Sequence, residues 1–332
     1  MDSKRSDKYC SLKHLCYILA VLLLSSCTWV KDENDDCPYG FWLNLHYTRN
    51  MLDVDAAAKC ISEVSVFIYD SEGNFVSRVD VPQSTLAANK HRVRIEGLEE
   101  GDYQFVVWGG LSGRQYGLWG DKDKMDEFRL AVENSGATVS SRLQDLYYGY
   151  LKTVHYNDSY ATHDVYMMKD TNQLACLVVQ LSSDNPLSPD DYDMKLVSAN
   201  GEMDIENDLV AEKETTYMPF EKSSVTIDDI EYGKLQGVKY NLNTLRLMQD
   251  TDCRLILEKK DTGEKVFDIS LPEYIGMLGS LYGNDGSPMP VQEYLDRQDF
   301  YTVVFVLSED LNQLIQLQVN SWRLRAKNHL KL

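Results

Sequence analysis

Positive charge is scarce in this sequence: 33 Lys and Arg face 52 Asp and Glu, a formal net charge of −19. Such a chain repels phosphate backbones, and no basic stripe interrupts the acidity, so nucleic acid is set aside as a partner. Long hydrophobic runs are missing too. The apolar stretch Leu15 to Leu24 is shorter than the roughly 20 residues a helix needs to cross a bilayer. No C-x-x-C pair or Cys/His cluster has zinc spacing, and no G-x-S-x-G marks a nucleophile elbow. The Gly-rich "WGGLSG" (108–113) follows a strand pattern with no helix behind it to present phosphate-binding amides. Repeats of fixed short period are absent, as is the alternation of strand and long helix that builds a doubly wound sheet. These absences leave no cofactor, no metal and no enzyme class to expect.

What is present begins at the N-terminus. Lys4, Arg5, Lys8 and Lys13 precede the apolar run, which makes residues 1–26 a signal peptide. The run ends at Leu24-Ser25-Ser26-Cys27, which resembles the bacterial lipoprotein box, with Cys27 as the acylated first residue of the mature chain. Acyl chains at ~0.8 kcal/mol per buried methylene hold a protein durably on a membrane. In "TWVKDENDDC", Asp32, Glu33, Asp35 and Asp36 crowd together, so residues 27–36 read as a solvated, self-repelling tether. A Lys followed by acids just after the lipidated cysteine also resembles a signal for export to the outer face of the outer membrane.

Cysteine use fits an exported chain. Cys10 and Cys16 leave with the signal and Cys27 takes lipid, while Cys37, Cys60, Cys176 and Cys253 remain. Four thiols allow three pairings. Cys37 with Cys60 is the candidate disulfide, because it ties the tether exit to the first domain; the alternative is that all four are small buried hydrophobes.

From Cys37 onward the dominant period is two. "EVSVFIYD" puts Val64, Val66 and Ile68 on one face, "SEGN" (71–74) turns, and "FVSRVDV" returns. "HRVRIEGL" alternates, and "YQFVVWGG" is apolar on both faces before it stops at Gly109-Gly110. Helical signals are brief: "LDVDAAAKCISE" (52–63) suggests two or three turns, and "MDEFRLAVE" (125–133) is ambiguous. After Thr171 a second run of strands begins with "LACLVVQL" (174–181). "YDMKLVSANGEM" suggests a hairpin, "DCRLILEKKDTGEKVFDISL" (252–271) another turned at Asp261-Thr262-Gly263, and "DFYTVVFVL" with "LIQLQVNSWRLR" closes the chain. The fold class is therefore all-β, two antiparallel sandwiches over residues 37–170 and 171–332. At 43% hydrophobic and 11% aromatic residues, both cores can be filled.

Candidate chemistry weighs lightly beside this. His155 and His163 flank Asp158 and Asp164 in "HYNDSYATHD", but the spacing fits no helical pair of ligands and a wet loop explains it. The acids of "SPDDYD" and "TIDDIEYG" (226–233) invite comparison with paired glycosidase carboxylates, yet solvated turns account for them in so acidic a chain. "DSEGN" resembles a fragment of a calcium loop but lacks its period and closing Glu, and reads as a hairpin turn. Trp108 and Trp322 sit in apolar strands and belong to the core, whereas Trp119 lies in a loop, where it hints at a sugar platform.

The motifs point to a family. "GLEEGDYQFVVWGG", the hairpin "VSVFIYDSEGNFV", the first strand in "DCPYGFWLNLHY" (36–47) and the closing "VQEYLDRQDFYTVVFVL" (291–307) with "IQLQVNSWRLR" (315–325) resemble the FimB-like minor fimbrium anchoring subunits of Bacteroidales. The stretch 185–250 matches loosely. The resemblance implies two transthyretin-like sandwiches in an outer-membrane lipoprotein facing the cell exterior. Such a protein holds a fimbrium (pilus) to the cell, limits its length, and meets the fimbrial stalk (fimbrillin) subunits by β-strand addition. It further implies that related stalk subunits are cut after a basic residue by a trypsin-like protease. Arg49, in "HYTRNM", is the nearest candidate cut, and keeping the segment from Cys27 to Arg49 is the expected mark of an anchor. Only "AKNHLKL" follows Arg325, too little for a donated C-terminal strand at about 3.3 Å per residue. A surface glycan-binding lipoprotein of a polysaccharide-uptake system shares the signal, tether and sandwiches; two or three coplanar exposed rings near Trp119 or in residues 147–160 would mark it. A tip or accessory subunit of the same fimbrium is a further alternative.

Overall fold

Alternating apolar residues become strands because each apolar side must be buried, and the described residues do this with five sheets. The computed structural model describes residues 40–119, 123–181, 187–210, 213–277, 286–320 and 322–331. The side chains of Trp119, Met277 and 322–331 are not among the described parts. Leu24, Ser25, Ser26, Cys27 and Cys37 lie outside the described residues.

In chain order the first half holds β1 (Phe41–His46), α1 (Ala57–Cys60), β2 (Val64–Asp70), β3 (Phe75–Val81), α2 (Gln83–Ala88), β4 (Arg92–Ile95) and β5 (Gly101–Gly109). It continues through β6 (Tyr116–Trp119), β7 (Arg129–Val132), β8 (Thr138–Val139), β9 (Tyr147–Tyr156), β10 (Ala161–Tyr166) and β11 (Met168–Lys169). The second half holds β12 (Thr171–Gln180), β13 (Tyr192–Ser198), β14 (Glu202–Asp204), β15 (Thr215–Tyr217), β16 (Glu221–Asp229) and β17 (Gly233–Leu245). Then come β18 (Cys253–Lys259), β19 (Lys265–Ser270), α3 (Leu271–Met277), α4 (Val291–Arg297), β20 (Phe300–Leu307), β21 (Gln313–Val319) and β22 (Trp322–Lys331).

The first sandwich packs the sheet β10-β1-β4 on the sheet β11-β9-β5-β2-β3. Phe41, Leu43 and Leu45 of β1 meet Val64, Val66 and Ile68 of β2 and Phe105 of β5, and the Phe41 and Phe105 rings stack at 4.8 Å. The far face of that second sheet is buried as well. Phe67, Tyr69, Val106 and Trp108 pack on Phe128, Leu130, Val132 and Met203, from the segment before β7, β7 and β14 of the small sheet β14-β7-β6. Two covered faces explain why "YQFVVWGG" is apolar throughout, and Trp108 is fully buried as expected.

The same cluster runs on into the second sandwich, where β16-β17-β12-β20-β21-β22 faces β19-β18-β13-β15-β8. Leu174, Cys176 and Val178 of β12 and Phe305 of β20 meet Leu196 of β13, Leu255 of β18 and Phe267 of β19, with Phe267 on Phe305 at 4.4 Å. The halves exchange strands: β8 of the first half pairs in parallel with β15, and β14 of the second half pairs antiparallel with β7 in the small sheet. Phe41–Leu332 forms one compact unit.

Several local expectations change. Residues 52–63 yield one helical turn, because the Asp55 carboxylate accepts from the backbone N–H of Tyr47 (3.0 Å) and Ala57 (3.1 Å), folding residues 47–56 into a loop. The ambiguous 125–133 becomes a short 3-10 turn and β7. "YDMKLVSANGEM" is not a hairpin. β13 pairs with β18 and β15 while β14 leaves for β7, and the buried Asn200 between them donates to Thr244 Oγ1 and the Leu245 and Arg246 carbonyls. Pairing is not antiparallel everywhere: β1 runs parallel to β10 and β12 parallel to β20. The final strand extends to Lys331, taking in most of "AKNHLKL". The hairpins at "SEGN" and at Asp261–Gly263 form as read; in the first, the Asp70 carboxylate accepts from the N–H of Glu72 and Asn74, both at 2.9 Å.

Candidate functional site

The stretch "VQEYLDRQDF" builds a dense polar cluster. Tyr294 and Leu295 of α4 are buried, while Glu293, Asp296 and Arg297, spaced three and four apart, share another side of the turn. Arg49, just after β1, donates Nη2 to both Glu293 Oε2 and Asp296 Oδ2 at 2.8 Å. Asp296 also accepts from Arg246 Nε (3.0 Å) and Nη2 (3.1 Å) and from Gln292 Nε2 (2.8 Å), with its side chain 1% exposed. Arg297 reaches Glu293 Oε1 at 2.5 Å and also pairs with Asp53. Two residues beyond α4, Asp299 takes Lys169 Nζ at 2.8 Å, and that amine also holds Asp145 at 3.1 Å. Nearly every charged side chain from Glu293 to Asp299 thus grips a residue before Thr171.

Electrostatics favour the ionised state of this clasp. Burial opposes charge on Glu293, but Arg297 and Arg49 hold its carboxyl below the usual range. Burial likewise opposes charge on Lys169, yet Asp299 and Asp145 raise it above an ordinary lysine. Beneath the clasp lies Asp170, fully buried, where desolvation pushes its carboxyl up to about 7 against the Asn207 amide and Arg246. Asn207 Nδ2 donates to Asp170 Oδ1 at 2.9 Å, while Asp170 Oδ2 and Asn207 Oδ1 are buried without a partner.

The loop that leaves β1 carries Arg49 into this cluster. β1 is the central strand of its sheet, paired over Phe41–His46 with β10 and over Phe41–Asn44 with β4. Arg49, the candidate cut, sits in a closed loop. Asn50 donates its backbone N–H to Thr48 O at 2.9 Å and its side-chain amide to the Tyr47 and Val54 carbonyls. Cys60 ends α1, half-buried, with no partner among the described residues.

The weaker sequence candidates separate. His155 pairs with Asp102 at 2.9 Å, whereas the His163 ring stacks on Phe41 at 5.0 Å, and no cluster of metal-binding side chains occurs among the described residues. Asp229 of "TIDDIEYG" caps its own turn, accepting from Glu231 N and Tyr232 N. In 147–160, Tyr147, Tyr148 and Tyr156 are buried and Tyr160 is half exposed, which makes no coplanar platform among the described residues; Trp119's ring is not described. Sequence reasoning missed the clasp. Its one local signal was the helical spacing of Glu293, Asp296 and Arg297.

Comparison with known proteins decides the family. The description "fimbrillin-A associated anchor proteins Mfa1 and Mfa2" matches residues 34–328. The chain belongs to this family. The minor fimbrium anchoring subunit Mfa2 of Porphyromonas gingivalis is 21% identical over 323 residues, covering 91% of each chain. Its solved structure, at TM-score 0.64 and 16% identity over 86% of this chain and 99% of that one, shares the fold. A solved Bacteroides thetaiotaomicron protein, provisionally described as an adhesin, matches at TM-score 0.75 and 26% identity, covering 87% of this chain and 98% of its own. This anchor family is of structural type, associated with fimbriae at the cell surface.

Proposed function

We propose that this chain is an outer-membrane lipoprotein, acylated at Cys27 and facing the cell exterior, that anchors a fimbrium and limits its length, with stalk (fimbrillin) subunits docking by β-strand addition. The observation that carries the reading is the place of β1. The strand that follows the acidic tether is held on both sides in the first sandwich, so tension between lipid and fold is met by a paired strand rather than a loose end. Pulling along paired strands loads all their hydrogen bonds together, and the clasp at Arg49 ties the exit of β1 to α4. Replacing Cys27 with Ser tests this. Fimbriae are expected in the medium rather than on the cell, and longer if the anchor sets their length; normal retention on the surface overturns the anchoring role.

A further inference from the structure

We infer that β16 is the docking edge, and that the partner it accepts is an extended segment of a fimbrial subunit, added as a further strand to the six-stranded sheet. The inference rests on the anchor reading and names its contact surface.

A sheet edge leaves a row of backbone N–H and C=O groups that another strand can pair, and proteins blunt such edges with shortness, bulges or charge. Among the described edges, β8 and β11 have two residues, β14 three, and β4 and β6 four. β3 carries the Arg78–Asp80 pair beside a register shift at Ile68/Tyr69, and β19 carries Lys265 and Asp268 beside a shift at Leu257/Glu258. β10 holds Asp164, engaged by Asn44 and His46. β22 pairs across a shift at Leu314/Gln316, and its sequence "WRLRAKNHLK" contains four Lys or Arg, the residues that most often guard an edge.

β16 is the longest of the edges that pair without a shift, and its charges stand only at its two ends rather than mid-strand. It pairs with β17 through nine residues without a shift, from Glu221↔Asn241 to Asp229↔Gly233. Of its end charges, Lys222 holds Asp193 at 3.2 Å, Glu221 accepts from Asn241 at 2.7 Å and Asp229 caps the turn, while Asp228 is exposed at the turn end. Between them Ser223-Ser224-Val225-Thr226-Ile227 is uncharged, and Ser223, Ser224 and Thr226 are exposed. Val225 and Ile227 are half-buried against the small apolar cluster of Leu235, Val179, Val304 and Val306 on one face of the sheet. At the end of the hairpin Ile230 is 92% exposed.

These features describe the partner. It must be extended, to satisfy the edge, and must carry apolar residues at alternate positions where they meet Val225 and Ile227 at cross-strand distance. A second copy of this chain would bring another net charge of −19 against the first, which favours a different protein as donor.

The test uses the full-length protein in fimbriated cells, with the photo-cross-linking residue p-benzoylphenylalanine at position 224. The expected product joins β16 to a fimbrial subunit, with the linked peptide an alternating apolar segment. A cross-link only to a second copy, or none while fimbriae stay attached, overturns the proposal. In parallel, Ser224→Lys with Thr226→Lys places charge on exposed positions of the edge. It is expected to cut cell-attached fimbrial protein about ten-fold with an unchanged circular dichroism spectrum; retention at the wild-type level counts against the edge. The Cys27→Ser variant separates the two readings: if it sheds fimbriae while position 224 gives no cross-link, anchoring stands and this edge is wrong.

Discussion

Asp296 and Arg49, 247 positions apart, share a hydrogen bond of 2.8 Å that joins α4 to the loop leaving β1. The carboxylate is almost wholly buried and serves Arg246 at the same time, so the two guanidiniums and one carboxylate form a unit. Removing one partner of such a group strands the others, which costs more than the group itself contributes.

Asp296→Ala is therefore expected to lower unfolding free energy by about 3–5 kcal/mol, read as a fall in urea midpoint. Glu293→Ala should cost about 1 kcal/mol or less, because its carboxylate is partly exposed and its pairs are screened. Equal losses from the two would refute the central place given to Asp296.

Much of the fold was legible because strand period is local. Val64, Val66 and Ile68 announce their buried face, and Asp261-Thr262-Gly263 announces its turn. Partner choice is not local. Nothing around Phe41 says that Ala161 will lie beside it in a parallel pair, or that Glu202–Asp204 will leave β13 to extend the sheet of β7. The clasp hid for the same reason: Glu293, Asp296 and Arg297 look like an ordinary charged helical face until Arg49, Asp53 and Arg246 are brought to them by the tertiary fold.

The pH dependence should carry the mark of Asp170. Burial raises its carboxyl to about 7, whereas the unfolded chain releases that proton near 4. The folded state therefore binds the extra proton between those values. Stability from this group is full below about pH 4 and is lost as pH rises through about 7. Asp170→Asn removes the titration and supplies a donor where Oδ2 has no partner. The variant is expected to gain on the wild type from pH 4 to 8, by about 4 kcal/mol at the top; parallel curves in urea unfolding at each pH would break the link.

The pairing of Cys37 with Cys60 is a proposal with a direct readout. Cys60 ends α1, and a bond to Cys37 would fix the tether exit there, stabilising by about 3 kcal/mol. A non-reduced digest of protein taken from the cell surface should contain one peptide linking the two residues, lost on reduction. Cys176 and Cys253 are buried, with thiols pushed far up by desolvation, and should stay free in the same digest. Two free alkylated thiols at 37 and 60 would refute the pairing.

Resistance to cutting at Arg49 follows from how that residue is used. A trypsin-like protease needs the arginine free and several flanking residues extended in its cleft. Here the guanidinium is bonded to Glu293 and Asp296, and Asn50 ties the loop to Tyr47 and Val54. Cleavage must wait for local opening, so its rate tracks the stability of the clasp. Mature protein from cells is expected to keep Cys27 through Arg49, with Cys27 blocked by acylation, and Asp296→Ala is expected to speed tryptic cutting after Arg49 at least about ten-fold. A mature N-terminus at Asn50 would mean that β1 and its tether are lost together, leaving the protein with no lipid to hold it.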